Sequence, residues 1–152
     1  MLAQVDSANT YFGCIVGRVA NRIEGAQFSS ADCVCNLEAN DAPHALHGGS
    51  RHWGRQQWAA EVLEGGAAVR FTRVSPDGEA GYPGQVAATV TYHLRSSDAG
   101  AALGVTMEAE TSAACPISLV QHTYWNLAGH AKARGGSDSQ CVRVMAHHSS
   151  RP

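Results

Sequence analysis

Residues 85–95 read QVAATVTYHLR, and their reading decides the fold class. Val86, Ala88, Val90, Tyr92 and Leu94 fall on one side of an extended chain, while Gln85, Thr89, Thr91, His93 and Arg95 fall on the other. A two-residue period with β-branched and aromatic enrichment predicts a half-buried strand. The pattern repeats just downstream. Leu103, Val105, Met107 and Ala109 alternate with Gly104, Thr106, Glu108 and Glu110, and the polar stretch SSDAGA lies between the two segments. Together they predict a β-hairpin.

Working outward, further strands are expected at 11–16 (YFGCIV), 56–63 (QQWAAEVL), 67–74 (AAVRFTRV), 117–122 (ISLVQH) and 140–146 (QCVRVMA). Glu64-Gly65-Gly66 separates the second and third of these as a second hairpin signal. No segment sustains a helical apolar period beyond two turns, so the expectation is a mainly β chain of antiparallel sheets and hairpins. The stretch AKARGGSDSQ at 131–140 reads as a surface loop.

A chain of 152 residues with 44% hydrophobic and 16% charged residues has globular composition and the length of one domain. Its net charge of −2 and the absence of a basic, aromatic-interleaved run argue against a nucleic-acid partner. No stretch reaches the roughly 18–20 apolar residues that span a bilayer, and the start MLAQVDSANTYFG lacks the pattern of a secretory signal. A soluble, cytoplasmic protein is expected, with no membrane partner. Five cysteines at irregular spacing, at 14, 33, 35, 115 and 141, favour thiols over a disulfide framework. Cys33-Val34-Cys35 is a C-x-C without an answering pair, which reads as thiols on a strand more readily than as half of a zinc site with His147 and His148. No metal and no cofactor are expected. The two ends, one beginning almost on a strand and the other with no closing element, suggest a portion of something larger, because an open sheet leaves unpaired edges.

Phosphate loops and dinucleotide fingerprints are absent from the sequence. His47-Gly48-Gly49 has no accompanying nucleophile elbow that would make it a lipase oxyanion loop. What stands out is two histidine corners, PHALHGGSRHWG at 43–54 and QHTYWNLAGH at 121–130. An imidazole gives or takes a proton near neutral pH. The glycines after His47 allow a sharp turn and close approach of a ligand, although a turn histidine bonded to its own loop fits the spacing as well. His122 ends an expected strand and precedes Thr123, Tyr124, Trp125 and Asn126, a polar and aromatic mixture suited to the hydroxyls and C–H faces of a sugar. A core histidine satisfied by backbone is the alternative. Asn21-Arg22 lies in the glycine-spaced run YFGCIVGRVANRI, where the guanidinium fork is matched to vicinal oxygens or simply exposed on the surface. His52, His93, His130, His147 and His148 read as structural or solvated.

Four ordered motifs then carry a resemblance: YFGCIVGRVANRI at 11–23, LHGG at 46–49, DGEAGYPG at 77–84 and QHTYWNLAG at 121–129. The chain resembles the aldose 1-epimerase (galactose mutarotase) family from about Thr10 to Pro152. The resemblance implies a partial β-supersandwich, residues 1–152 forming a single incomplete domain, and a cofactor-free interconversion of the α and β anomers of free hexoses such as glucose and galactose. It implies that His122 is the general acid towards the ring oxygen and that His47 assists and binds near it. Asn21, Arg22, Thr123 and Tyr124 match sugar-binding positions. A small-molecule hexose is thus the expected partner.

The family's base is a glutamate near its C-terminus, and none of Glu24, Glu38, Glu61, Glu64, Glu79, Glu108 or Glu110 matches that motif. This portion is therefore expected to be slower than a chain with its base by roughly 10²-fold or more. Asp32-Cys33-Val34-Cys35 and His52-Trp53-Gly54 depart from the family's usual residues, the latter in the loop behind His47. A non-catalytic carbohydrate-binding remnant and a glucose-6-phosphate 1-epimerase-like protein are the alternatives, the second needing a cationic cluster for which Arg18, Arg22, Arg51 and Arg55 are the candidates.

Overall fold

In the computed structural model, which describes residues 11–30, 33–97 and 100–125, the alternation at 85–95 becomes the centre of a four-stranded antiparallel sheet. Its strands are β6 (Ala59–Val62), β7 (Ala68–Ser75), β8 (Val86–Ser97) and β9 (Gly100–Thr111), in the order β6-β7-β8-β9. The β8–β9 register runs from Val86 opposite Thr111 to Ser97 opposite Gly100, so the long hairpin is as expected. Gly65 and Gly66, at φ of 73° and 71°, turn the chain between β6 and β7, where only glycine is unstrained.

One face of this sheet is apolar and the other polar, as the two-residue period requires. Ser75, Val86, Ala88 and Val90 are buried on the apolar face. Trp53, Val86 and Ala88 form the core, with Trp58, Ala109, Cys115, Ile117 and Leu119 packed around them. Trp53 reaches this position from a 3-10 turn at Trp53–Arg55, and the Trp58 indole N–H donates to the Trp53 carbonyl at 3.1 Å. Among the described residues, this cover lies over the end of the sheet nearest Val86. Leu94 and Leu103, paired on the same face, remain 63% and 42% exposed.

Three smaller antiparallel pairs complete the described fold. β1 (Ile15–Val16) pairs with β10 (Val120–Gln121), β2 (Arg22–Ile23) with β5 (Ala45–Leu46), and β3 (Gln27–Ser30) with β4 (Cys33–Asn36). The expected strands at 11–16, 56–63 and 117–122 shrink to Ile15–Val16, Ala59–Val62 and Val120–Gln121. For the first, the reason is a turn at Tyr11–Cys14, closed by the Cys14 N–H donating to the Tyr11 carbonyl, with Gly13 at φ 70°. Cys33 and Cys35 lie on a strand, as their alternation suggested. The expected strand 140–146, the loop 131–140, and Asn126, His130, Cys141, His147 and His148 lie outside the described residues. No helix among the described residues is long and apolar enough to cross a membrane.

The DGEAGYPG motif closes the core from the side. Glu79 accepts from the Trp53 indole at 3.2 Å, from Arg73 at 2.8 Å, and from the Ser75 hydroxyl. Burial by itself would raise the Glu79 carboxyl, but the bonds from Arg73 and Ser75 and the Arg73 charge hold it below its ordinary value. The Arg73 guanidinium lies 5.1 Å over the Trp53 ring, which adds a cation–π contact to the same cluster.

Candidate functional site

The two short strand pairs deliver the two histidine corners to one place. His47 directly follows β5, whose partner β2 begins one residue after Asn21. The His47 backbone N–H donates to the Asn21 carbonyl at 3.1 Å, and the Asn21 N–H donates back to His47 Nδ1 at 3.0 Å. A neutral imidazole whose Nδ1 accepts carries its proton on Nε2, so this bond fixes the tautomer and presents Nε2–H as a donor. Both residues sit in the left-handed region, His47 at φ 54° and Asn21 at φ 67°. Such conformations persist only where surrounding bonds over-determine them.

The loop carrying His47 is braced by residues that the sequence reading left out. Asn40 acts as a surrogate strand, accepting from the Leu46 N–H at 2.8 Å and donating to the Leu46 carbonyl at 3.0 Å. Glu38 accepts from both the backbone and the hydroxyl of Ser50, each at 2.8 Å. Gly48 explains why the motif is LHGG. A Cβ there would stand 2.0 Å from the Gly17 carbonyl oxygen, and its φ is 87°. Gly48→Ala is therefore expected to cost about 3 kcal/mol or more from overpacking and backbone strain together. A urea titration should show the lowered midpoint, and a change below about 0.5 kcal/mol would contradict the packing described.

His122 directly follows β10. Its N–H donates to the Cys14 carbonyl at 2.8 Å, and its own carbonyl accepts from the Gly13 N–H at 3.0 Å. The backbone is thus clamped and the ring is left for other contacts. The His47 and His122 ring centroids are 5.2 Å apart with planes at 84°, an edge-to-face pair. Two imidazoles this close disfavour a double positive charge. His47 is held below its ordinary value mainly by burial, then by the neighbouring His122 and Arg22 charges.

The remaining expected site residues surround this pair to different degrees. Tyr124 packs against His122 at 5.1 Å and is 63% exposed, with Phe12 edge-on to it at 5.1 Å. Thr123 is tied to Gln121, whose Oε1 accepts its N–H at 3.3 Å and whose Nε2 donates to its hydroxyl. Asn21 Oδ1 accepts from the Arg22 N–H at 2.9 Å. Arg22 is exposed but not free, because its Nε donates to Asp41 at 2.6 Å, half-exposed on both sides. That ion pair fixes the guanidinium's heading rather than stabilising the fold appreciably.

Arg18, one candidate for a phosphate-binding cluster, is corrected by the structure. It is 2% exposed and spends its donors inside the protein, on Ser75, Pro76, Tyr82 and Pro83. His52, expected to be structural or solvated, is structural, 5% exposed, with Nδ1 accepting from the Gly54 N–H at 3.2 Å. Burial, with the Arg55 and His47 charges, pushes it from 6.5 down to about 4. An unfolded chain therefore takes up this proton first as pH falls. The stability it represents is whole above about pH 6.5 and is lost towards pH 4. This group should account for about 2–3 kcal/mol of the stability lost between pH 7 and pH 4.5. Asparagine keeps an acceptor for Gly54 without titrating, so His52→Asn should flatten that part of the pH–stability curve, and an unchanged slope would refute the assignment.

A cavity of about 320 Å³ lies beside the pair, lined by Cys14, Trp53, Trp58, Phe71, Val90 and Tyr92 among others. Neither imidazole lines it. Tyr11, which opens the first motif, contacts three imidazoles: His47 at 4.6 Å, His52 at 4.8 Å and His122 at 5.7 Å. Among the described residues, no hydrogen bond or ion pair joins a carboxylate to His47 or His122.

Known proteins show the same arrangement of sequence and strands. The aldose 1-epimerase family profile matches residues 2–150. Human galactose mutarotase is 45% identical over 121 residues, which is 80% of this chain and 34% of the relative. The aldose 1-epimerase of Escherichia coli is 30% identical over 119 residues, 78% of this chain and 33% of the relative. The chain thus spans about a third of the length of the curated relatives it matches. Among solved structures, a GalM/aldose epimerase homologue from C. elegans aligns over 82% of this chain and 37% of its own, with a TM-score of 0.71 and 31% identity. A galactose 1-epimerase from Lactobacillus acidophilus aligns over 84% and 38%, with a TM-score of 0.72 and 27% identity. The antiparallel fold is that of these mutarotases, as the four motifs implied, and the chain belongs to the aldose 1-epimerase family.

Proposed function

We propose that the chain carries the acid side of a mutarotase site and interconverts the anomers of a free hexose such as galactose or glucose. The observation that carries this reading is the edge-to-face pair of His47 and His122 with centroids 5.2 Å apart. A pyranose ring laid against that pair meets both imidazoles through neighbouring oxygens. His122 protonates the ring oxygen while a base takes the proton from the anomeric hydroxyl. The bond from C1 to the ring oxygen breaks, the open aldehyde rotates about C1–C2, and closure on the other face gives the other anomer with both protons returned.

His47, neutral and with its proton on Nε2, donates a hydrogen bond near the ring oxygen without competing for charge. Asn21 and Arg22 hold hydroxyls from one edge, the guanidinium steered by Asp41. Thr123 and the exposed Tyr124 border the acid, the latter offering a ring face to sugar C–H groups. The names of the human and E. coli relatives support the substrate class. The buried, fully engaged Arg18 favours an unphosphorylated sugar over a phosphorylated one. The base is not assigned to any described residue.

Polarimetry on freshly dissolved α-D-galactose and α-D-glucose tests the proposal. Equilibration faster than in buffer is expected for both, at a rate about 10²-fold below that of a relative carrying its base. A rate equal to buffer for both sugars would overturn the catalytic reading. Retained sugar affinity in that case would leave a binding site without turnover.

A further inference from the structure

We propose that Tyr11 is the positioning residue of this site, its ring being the common seat that sets His47 and His122 in their edge-to-face relation. The inference rests on the mutarotase reading and adds a residue to it. The Tyr11 ring meets His47 near edge-on, with centroids 4.6 Å apart and planes at 63°, and lies almost parallel to His122 at 5.7 Å and 25°. Behind it stands buried His52, 4.8 Å away. No other ring among the described residues touches all three imidazoles.

The seat is itself fixed to the strands that carry the histidines. The Tyr11 carbonyl accepts from the Cys14 N–H at 3.3 Å and from the Cys14 thiol at 3.2 Å. That turn runs straight into β1, the partner of β10. The Gly13 N–H and the Cys14 carbonyl from the same turn hold the two sides of the His122 backbone. One backbone turn thereby ties Tyr11 to His122. His47 comes from a different strand pair and is bonded to Asn21, and the Tyr11 ring lies against both imidazoles where the two pairs adjoin. Buried His52, its pKa lowered to about 4, is a flat and neutral backing to the ring. Burial raises the Tyr11 phenol above its ordinary value, in keeping with a ring that acts by contact and not by giving up a proton.

Misplacement of a reacting group by about 1 Å costs on the order of 10²-fold in rate. Tyr11→Leu is therefore expected to lower kcat for mutarotation by about 10- to 100-fold with KM changed less than about threefold, whereas Tyr11→Phe keeps kcat within about threefold. If leucine lowers the melting temperature, Tyr11→Met, unbranched and apolar, takes its place. Imidazole resonances of the labelled chain give a readout that does not depend on turnover. The ring-to-ring nuclear Overhauser contact between His47 and His122 should weaken in Tyr11→Leu and persist in Tyr11→Phe. An undiminished contact in Tyr11→Leu would overturn the seat, as would a Tyr11→Phe loss equal to that of Tyr11→Leu, which would move the role to the hydroxyl. If the parent chain shows no acceleration, the mutarotase reading fails by itself, and the imidazole contact alone decides for or against the seat.

Discussion

Replacing His122 by alanine is expected to lower the chain's acceleration of galactose mutarotation by about 10²–10⁴-fold, the range a positioned general acid supplies. The loss should appear in kcat and kcat/KM together, because the proton is handed over in the transition state and not on binding. The fold should survive the change. His122 is held through its backbone, by bonds to Cys14 and Gly13 that any residue makes, and its ring is only half-buried. Far-UV circular dichroism and the urea midpoint should stay close to those of the parent, with stability lower by about 1 kcal/mol at most. Acceleration surviving in His122→Ala at the parental rate would remove this ring from the chemistry.

Arg18→Met should do the opposite, damaging the fold first and the site only as a consequence. The Arg18 side chain is 2% exposed, and its Nε donates to Ser75 Oγ at 3.0 Å. Its two terminal nitrogens bind four carbonyls, those of Ser75 and Pro76 on one side and Tyr82 and Pro83 on the other. One planar fork thereby ties the end of β7 to the segment leading into β8, beside the β1 strand that backs the imidazoles. Methionine fills similar volume but leaves those acceptors buried and unpaired, each costing about 1–3 kcal/mol before relaxation. A net loss of about 3–5 kcal/mol is expected, against the 5–15 kcal/mol that holds a typical domain. Urea or thermal unfolding should place the variant at the edge of folding, and a loss below 1 kcal/mol would mean that water replaces the guanidinium.

How far the sequence disclosed this depended on whether the deciding contacts were local. The β8–β9 hairpin was legible because both strands carry the period within themselves, and Val86, Ala88 and Val90 are buried where that period puts them. The pattern could not say how far along the sheet the cover extends, so Leu94 shares the apolar face yet stays exposed. The two-residue strands β2 and β5 escaped a reading by period, since two residues have none, and β10 was read too long within 117–122; each exists only through a distant partner such as Leu46 for Arg22 or Val16 for Val120. Those pairings bring the imidazoles together. The histidines themselves came from the motifs and not from spacing. Arg18 stood as a candidate for a phosphate-binding cluster because nothing in GCIVGRVANR marks a single inward side chain. Tyr11 was in plain view in YFG, but its role depends on three rings that sequence order scatters. His44 accepts from the Gly25 N–H at 3.2 Å and directly precedes β5, three residues ahead of His47.

In the site proposed above, His47 and His122 address one sugar ring. Titrating D-galactose into the chain with labelled imidazoles, and following each histidine's ring nitrogens, tests it most directly. The His47 and His122 resonances should move along a single saturation curve with one midpoint while those of His44 and His93 stay still. Movement of only one of the pair, or two curves with different midpoints, would contradict it.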